Sequence, residues 1–108
     1  MVHLNLSLVR SNDTFLLKNL AETFNKLSVI ETLELSSNDF NPRYSDKSSN
    51  ESDFTDFISS IAKSKTLKHL GLAGTNLLFS QFTQMLQSLK HHDNKNLCSI
   101  DLEYNRNL

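Results

Sequence analysis

Ile30-Glu31-Thr32-Leu33-Glu34-Leu35-Ser36-Ser37-Asn38-Asp39-Phe40 carries apolar residues at its first, fourth, sixth and eleventh positions and an asparagine at its ninth. The same frame returns as Leu67, Leu70, Leu72, Thr75 and Leu77. It returns again as Leu97, Ile100, Leu102 and Asn105, with Asn107 in the last apolar place. A fourth copy fits the N-terminus as Met1, Leu4 and Leu6, with Val9 where the asparagine is expected. The frames start at residues 1, 30, 67 and 97. Self-similarity at a period of roughly 20–50 residues marks a repeat architecture, in which a unit that cannot bury its own apolar face buries it against the next.

Within each frame the alternation Leu33-Glu34-Leu35, Leu70-Gly71-Leu72 and Ile100-Asp101-Leu102 puts both apolar members on one face of a short strand and the middle residue on the other. Between frames the spacing changes to that of a helix. Ser11-Asn12-Asp13-Thr14 precede Leu16, Leu17, Leu20, Phe24 and Leu27. Ser52 or Asp53 precedes Phe54, Phe57, Ile58 and Ile61, and Ser80 precedes Phe82, Met85, Leu86 and Leu89. Each helix is apolar on one side, which must rest on the strand leucines. Strand, turn, helix and next strand in order predict parallel strands with right-handed crossovers. The expectation is an α/β fold: about four short parallel strands on a concave face and three helices on a convex face, in one domain over 1–108. The interruption at 41–50, Asn41 to Asn50, is polar and holds Pro42, and reads as a surface loop, with a partner-contact loop as the alternative. His91 to Asn96 reads as a second, shorter loop.

Composition narrows the function classes. The net charge is −1 with 21% charged residues, so the basic footprint of a nucleic-acid binder is absent. No run of about 18 apolar residues is present, and no membrane association is expected. Cys98 is the single cysteine, so neither an internal disulfide nor a cysteine zinc cluster can form, and a reducing, cytoplasmic setting is expected.

The frames, the periods near 30 and the helices between them resemble the ribonuclease-inhibitor-like class of leucine-rich repeats. The clearest segment runs Phe57-Ile58-Ser59-Ser60-Ile61-Ala62-Lys63-Ser64-Lys65-Thr66-Leu67-Lys68-His69-Leu70-Gly71-Leu72, which looks like that class's helix end, polar turn and next strand. The resemblance implies a right-handed β-α superhelix, a solenoid that mostly binds proteins through its concave face. The class also includes bacterial effectors that enter host cells, which would make the host cytoplasm the site of action. Departures are the long second repeat, Val9 in the first frame and Thr75 in the third.

In register, the middle positions of the strands form a column of Asn5, Glu34, Gly71 and Asp101. Beside it run Ser7, Ser36, Ala73 and Glu103, then Leu8, Ser37, Gly74 and Tyr104, and on the other side His3, Thr32, His69 and Ser99. Val2, Glu31, Lys68 and Cys98 form the outermost column. Gly71, Ala73 and Gly74 are expected to leave a shallow dip between Glu34 and the group Asp101, Glu103 and Tyr104. The expected binding surface is therefore Glu34, Ser36, His69, Gly71, Asp101, Glu103 and Tyr104, mildly acidic with an aromatic anchor, suited to a protein partner with a basic patch.

Catalysis is not expected. Glu34 and Asp101 stand two strand spacings apart, about 9–10 Å, near the upper separation for an inverting glycosidase, but on an open face without an apolar pocket. His91-His92-Asp93 sits in a loop where adjacent histidines do not converge on a metal. No phosphate-binding glycine loop or hydrolase motif is present. No cofactor or metal is expected. The alternative to a partner-binding module is an assembly unit that self-associates through open terminal edges, as a homo-oligomer.

Overall fold

The computed structural model describes residues 2–6, 22, 29–41 and 47–108. Four strands, β1 (Val2–Asn5), β2 (Ile30–Glu34), β3 (His69–Gly71) and β4 (Ser99–Asp101), form one sheet in chain order. Every neighbouring pair is parallel. Two helices are described, α1 (Lys47–Lys63) between β2 and β3 and α2 (Phe79–His91) between β3 and β4. The helix expected behind Ser11–Thr14, the turn at Val9 and the Pro42–Asp46 part of the insertion lie outside the described residues.

The register of β2, β3 and β4 follows the alternation of apolar residues. Leu33 pairs with Leu70 and Leu70 with Ile100, while Glu34 pairs with Gly71 and Gly71 with Asp101. Leu33, Leu35, Leu70 and Leu72 are at most 1% exposed and share one core with Phe54, Phe57, Ile58 and Ile61 of α1. A one-residue slip would carry every one of these leucines to the other face, so burial fixes the pairing. Each such side chain contributes about 1.5–3 kcal/mol when removed from water. Phe40, the last apolar residue of its frame, meets Phe54 and Phe57 edge-on at centroid distances of 6.5 and 6.1 Å.

The turns after the strands repeat in detail. Ser37, Gly74 and Tyr104 occupy the same frame position and all adopt a left-handed φ, of 66°, 62° and 61°. One residue on, the chain turns inward to the buried ninth position. Asn105 Nδ2 donates to Leu72 O at 2.8 Å and Leu102 O at 3.0 Å, so one amide answers carbonyls in two successive turns. Its Oδ1 accepts from Leu77 N at 2.9 Å and Thr75 N at 3.2 Å. Asn38 does the same with its Nδ2, bridging Leu6 O and Leu35 O at 2.8 and 3.0 Å. Asn38 Oδ1 is buried and has no hydrogen-bond partner among the described residues. Thr75 is shorter: its Oγ1 donates to Leu72 O of its own turn at 2.8 Å and faces Asn105 Oδ1 of the next frame at 3.3 Å, with no bond to the preceding turn among the described residues. At the other end of the strands Asn94 bonds across units, donating to Ala62 O at 2.9 Å and accepting from Leu97 N at 2.9 Å. Ser64, at the matching position, accepts from Leu67 N at 3.1 Å.

Four expectations are corrected. Helix α1 starts at Lys47, not at Ser52 or Asp53, so Lys47–Asn50 of the expected 41–50 loop are helical. The stripe that betrays the helix begins only at Phe54, and the polar turns before it have no periodicity to read. Helix α2 starts at Phe79 with Ser80 inside it; the Leu78 amide donates to Gln81 Oε1 at 3.0 Å, so the side chain three residues on supplies the cap. The same helix extends through His91, which was expected in the loop that follows. Val2 pairs with Ile30 rather than Glu31, because the ladder shifts between Val2 and His3.

Asn105→Ala leaves buried donors and acceptors in two turns unanswered and is expected to cost about 2–4 kcal/mol. Asn38→Ala is expected to cost measurably less, since among the described residues only its donors are engaged. Urea unfolding of the two variants side by side checks the order.

Candidate functional site

The face of the sheet opposite the helices carries the middle residues of the strands. Its two central columns are as the frame dictates: His3, Thr32, His69 and Ser99 in one, Asn5, Glu34, Gly71 and Asp101 in the other. What the columns do not reveal is where the side chains lie. A Cβ built on Gly71 would overlap the Glu34 carboxylate. The glutamate is therefore folded flat across the neighbouring strand, and glycine is the residue that leaves it room. Gly71 is buried as a result.

The Glu34 carboxylate is held from both sides. Ser36 Oγ donates to its Oε1, and the same hydroxyl oxygen accepts from Ala73 N at 3.2 Å. Glu34 Oε2 lies 3.7 Å from His69 Nε2, with the two side chains 28% and 32% exposed. His69 Nδ1 lies 2.6 Å from Ser99 Oγ. With the ring proton on the nitrogen that faces the carboxylate, Nδ1 accepts the Ser99 hydroxyl hydrogen. A polar line thus runs from Ser36 through Glu34 and His69 to Ser99, crossing three strands.

This corrects the expected dip. The space over Gly71 is filled by Glu34 rather than left open, and Glu34 is engaged with Ser36 and His69 rather than presented to a partner. It also separates Glu34 from Asp101, whose Oδ1 instead accepts from Glu103 N at 3.1 Å. Glu103 and Tyr104 stand exposed beside Asp101, and Tyr104 is 86% exposed. Of the seven residues expected to bind, four (Glu34, Ser36, His69 and Gly71) make a closed patch, and three (Asp101, Glu103 and Tyr104) make an open one.

Ser99 was not among the expected site residues, although its place beside His69 is legible from the frame. Serine, histidine and carboxylate in this order invite comparison with a hydrolytic triad. The geometry departs from such a triad at two points. The carboxylate stands beyond hydrogen-bond reach of the ring, and Ser99 N already donates to Lys68 O at 3.1 Å, so it is not free to receive an oxyanion. His91 and His92 meet edge to face at 4.9 Å between centroids rather than pointing apart. Among the described residues no group of three or more His, Cys, Asp or Glu side chains converges for a metal. Cys98 is an exposed thiol directed at Asn96 O at 3.2 Å. The outer end of the face carries the Lys68–Glu31 pair at 3.4 Å, largely exposed on the lysine side and worth at most about 1 kcal/mol.

No family model, curated protein or solved structure matches this chain.

Gly71→Ala must push the Glu34 carboxylate off its site and is expected to lower stability by about 1 kcal/mol through loss of its charged hydrogen bond. In a Glu34→Ala background the same substitution is expected to cost nothing. A double-mutant cycle by chemical denaturation reads the difference; equal costs in both backgrounds would place the glutamate elsewhere.

Proposed function

We propose that this chain is a leucine-rich-repeat solenoid of the ribonuclease-inhibitor-like class, a non-catalytic module that binds a protein partner on its sheet face. Supporting the architecture are the recurring frame, the chain-ordered parallel sheet and the asparagine bonds that join successive turns. The binding surface is the open patch of Asp101, Glu103 and Tyr104, with the Glu34–His69 line as its fixed floor. The patch suits a partner with a basic surface. A cytoplasmic setting is consistent with the exposed thiol of Cys98.

The observation that carries this reading is Tyr104. It sits at the frame position where Gly74 takes the same left-handed φ without steric cost. A bulky L-residue in that conformation costs about 1–2 kcal/mol. Its ring does not recover the cost by burial, because it is 86% exposed. Strain held at an exposed aromatic is the signature of a side chain kept for contact, and tyrosine is among the residues that most often anchor interfaces.

The expectation is a stability–function trade. Tyr104→Gly should raise stability by about 1 kcal/mol and weaken binding to Lys/Arg-rich peptides at least tenfold. Glu103→Lys should weaken the same binding without changing stability. Fluorescence anisotropy against a basic peptide set, alongside thermal unfolding, measures both. Unchanged affinity in the two variants would remove the patch as the binding surface.

A further inference from the structure

The charged side chains of the described residues are sorted by rim. Helices α1 and α2 run back against the direction of the parallel strands, so their last turns and the first residues of the strands share one rim of the sheet. Lys63 and Lys90 lie in the last turns of the two helices. Lys65 and Lys95 sit in the connections that follow, and Lys68 immediately precedes β3. All five are exposed. Among the described residues the carboxylates on this rim are Glu31 and Asp93. The other rim, where the helices begin, holds Asp39, Glu51 and Glu103 as well as Lys47 and Arg106.

Helix ends explain only part of this. A cation in the last turn complements the helix dipole, which accounts for Lys63 and Lys90. Lys65, Lys68 and Lys95 lie outside the helices. The backbone beneath the lysines is pinned. Asn94 Nδ2 donates to Ala62 O at 2.9 Å and to Ser64 O at 3.2 Å, and Asn96 Nδ2 reaches Ser64 O at 3.4 Å. Cys98 N donates to Lys68 O at 2.8 Å. These bonds tie the connection before β3 to the one before β4 and hold like charges side by side. Their neutralisation is incomplete. Lys68 meets Glu31 at 3.4 Å and Lys95 meets Asp93 at 3.6 Å, surface pairs weak enough for another anion to displace. The ammonium groups of Lys63, Lys65 and Lys90 have no ion pair or hydrogen bond among the described residues.

We propose that this rim is a second interaction surface, which takes a short acidic segment of a protein partner laid across the connections before β3 and β4. The chemistry of the rim selects this class over other polyanions. Its cations are lysines, point charges that suit separate carboxylates, and residues 61–68 and 89–98 contain no arginine fork for phosphate. The same stretches contain no Trp, Tyr or Phe on which a base could stack. The chain as a whole carries a net charge of −1, and Glu34 and Asp101 stand on the adjoining sheet face. A polyanion long enough to run past the rim comes within the screening length of about 8 Å of those carboxylates and is repelled. An extended segment of about eight residues reaches about 26 Å, more than the roughly 10 Å from β2 to β4, and stays on the rim. The surface shares no residue with the patch of Asp101, Glu103 and Tyr104 and stands independently of the role proposed for it.

Titration of the isotopically labelled chain with a peptide of about eight Asp and Glu residues, at low salt, tests the proposal. Amide shifts should concentrate at 62–68 and 89–98 and leave Glu103 and Tyr104 unmoved. By fluorescence anisotropy the combined variant Lys63→Gln, Lys65→Gln and Lys90→Gln should bind the peptide about tenfold more weakly, with its circular dichroism unchanged. Arg106→Gln, which removes a charge from the other rim, should bind as wild type does. An absence of binding, shifts centred on the sheet face, undiminished affinity in the triple variant or an equal loss in Arg106→Gln would each overturn the proposal. Tighter binding of an oligouridylate of equal charge, or of phosphatidylserine vesicles, would overturn it in favour of a nucleic acid or a membrane surface.

Discussion

A side-chain amide that satisfies two turns at once is the constraint on which this molecule rests. Parallel strands of three to five residues bring few ladder hydrogen bonds of their own, and each is followed by a turn whose carbonyls point inward. Those carbonyls are buried with the leucines beside them and need donors. Asn105 and Asn38 supply the donors, and each reaches back to the preceding turn as well as its own. The spacing between strands and the close approach of their turns follow from that reach. Thr75 meets the local need but cannot span the gap. There Phe40 N to Thr75 O, at 2.9 Å, and the Asn41–Gln81 amide pair join the units instead.

With the turns fixed, the apolar side chains have one arrangement available. The leucines of β2 and β3 and the phenylalanines of α1 form one apolar cluster, and Gln81, where α2 meets Asn41, spends its polar groups on the cap and on that asparagine. The opposite face is then free of packing duty, and its side chains are set by electrostatics. Glu34 illustrates this. A carboxylate on a partly exposed strand has no core to enter, so it takes the hydroxyl, the imidazole and the empty space that a glycine leaves.

The frame was legible because the spacing within it is constant, although the frames themselves start 29, 37 and 30 residues apart. Two leucines flanking one polar residue determine which face is which, and the columns His69–Ser99 and Glu34–Gly71–Asp101 follow without further information. Three things were not legible, each for a physical reason. The sequence before Phe54 shows no apolar periodicity, so the pattern places the cap at Ser52 or Asp53, whereas the helix begins at Lys47. The shift at Val2 is a local change in pairing that leaves the apolar pattern intact. The direction of Glu34 depends on rotamers, and column membership says only that it neighbours Gly71, not that it lies on it. Of the candidate surface, placement was therefore readable and availability was not.

A sheet whose spatial order equals its chain order has a consequence for how the protein is made. Every strand after β1 finds its partner in the frame synthesised immediately before it, and none waits for a segment still to come. Loop closure is confined to neighbouring units, which keeps its entropic cost low and favours propagation from a formed unit. On the ribosome each emerging frame can therefore settle onto a finished one, with the growing edge always at the newest strand. Translation and folding run in the same direction along these four strands.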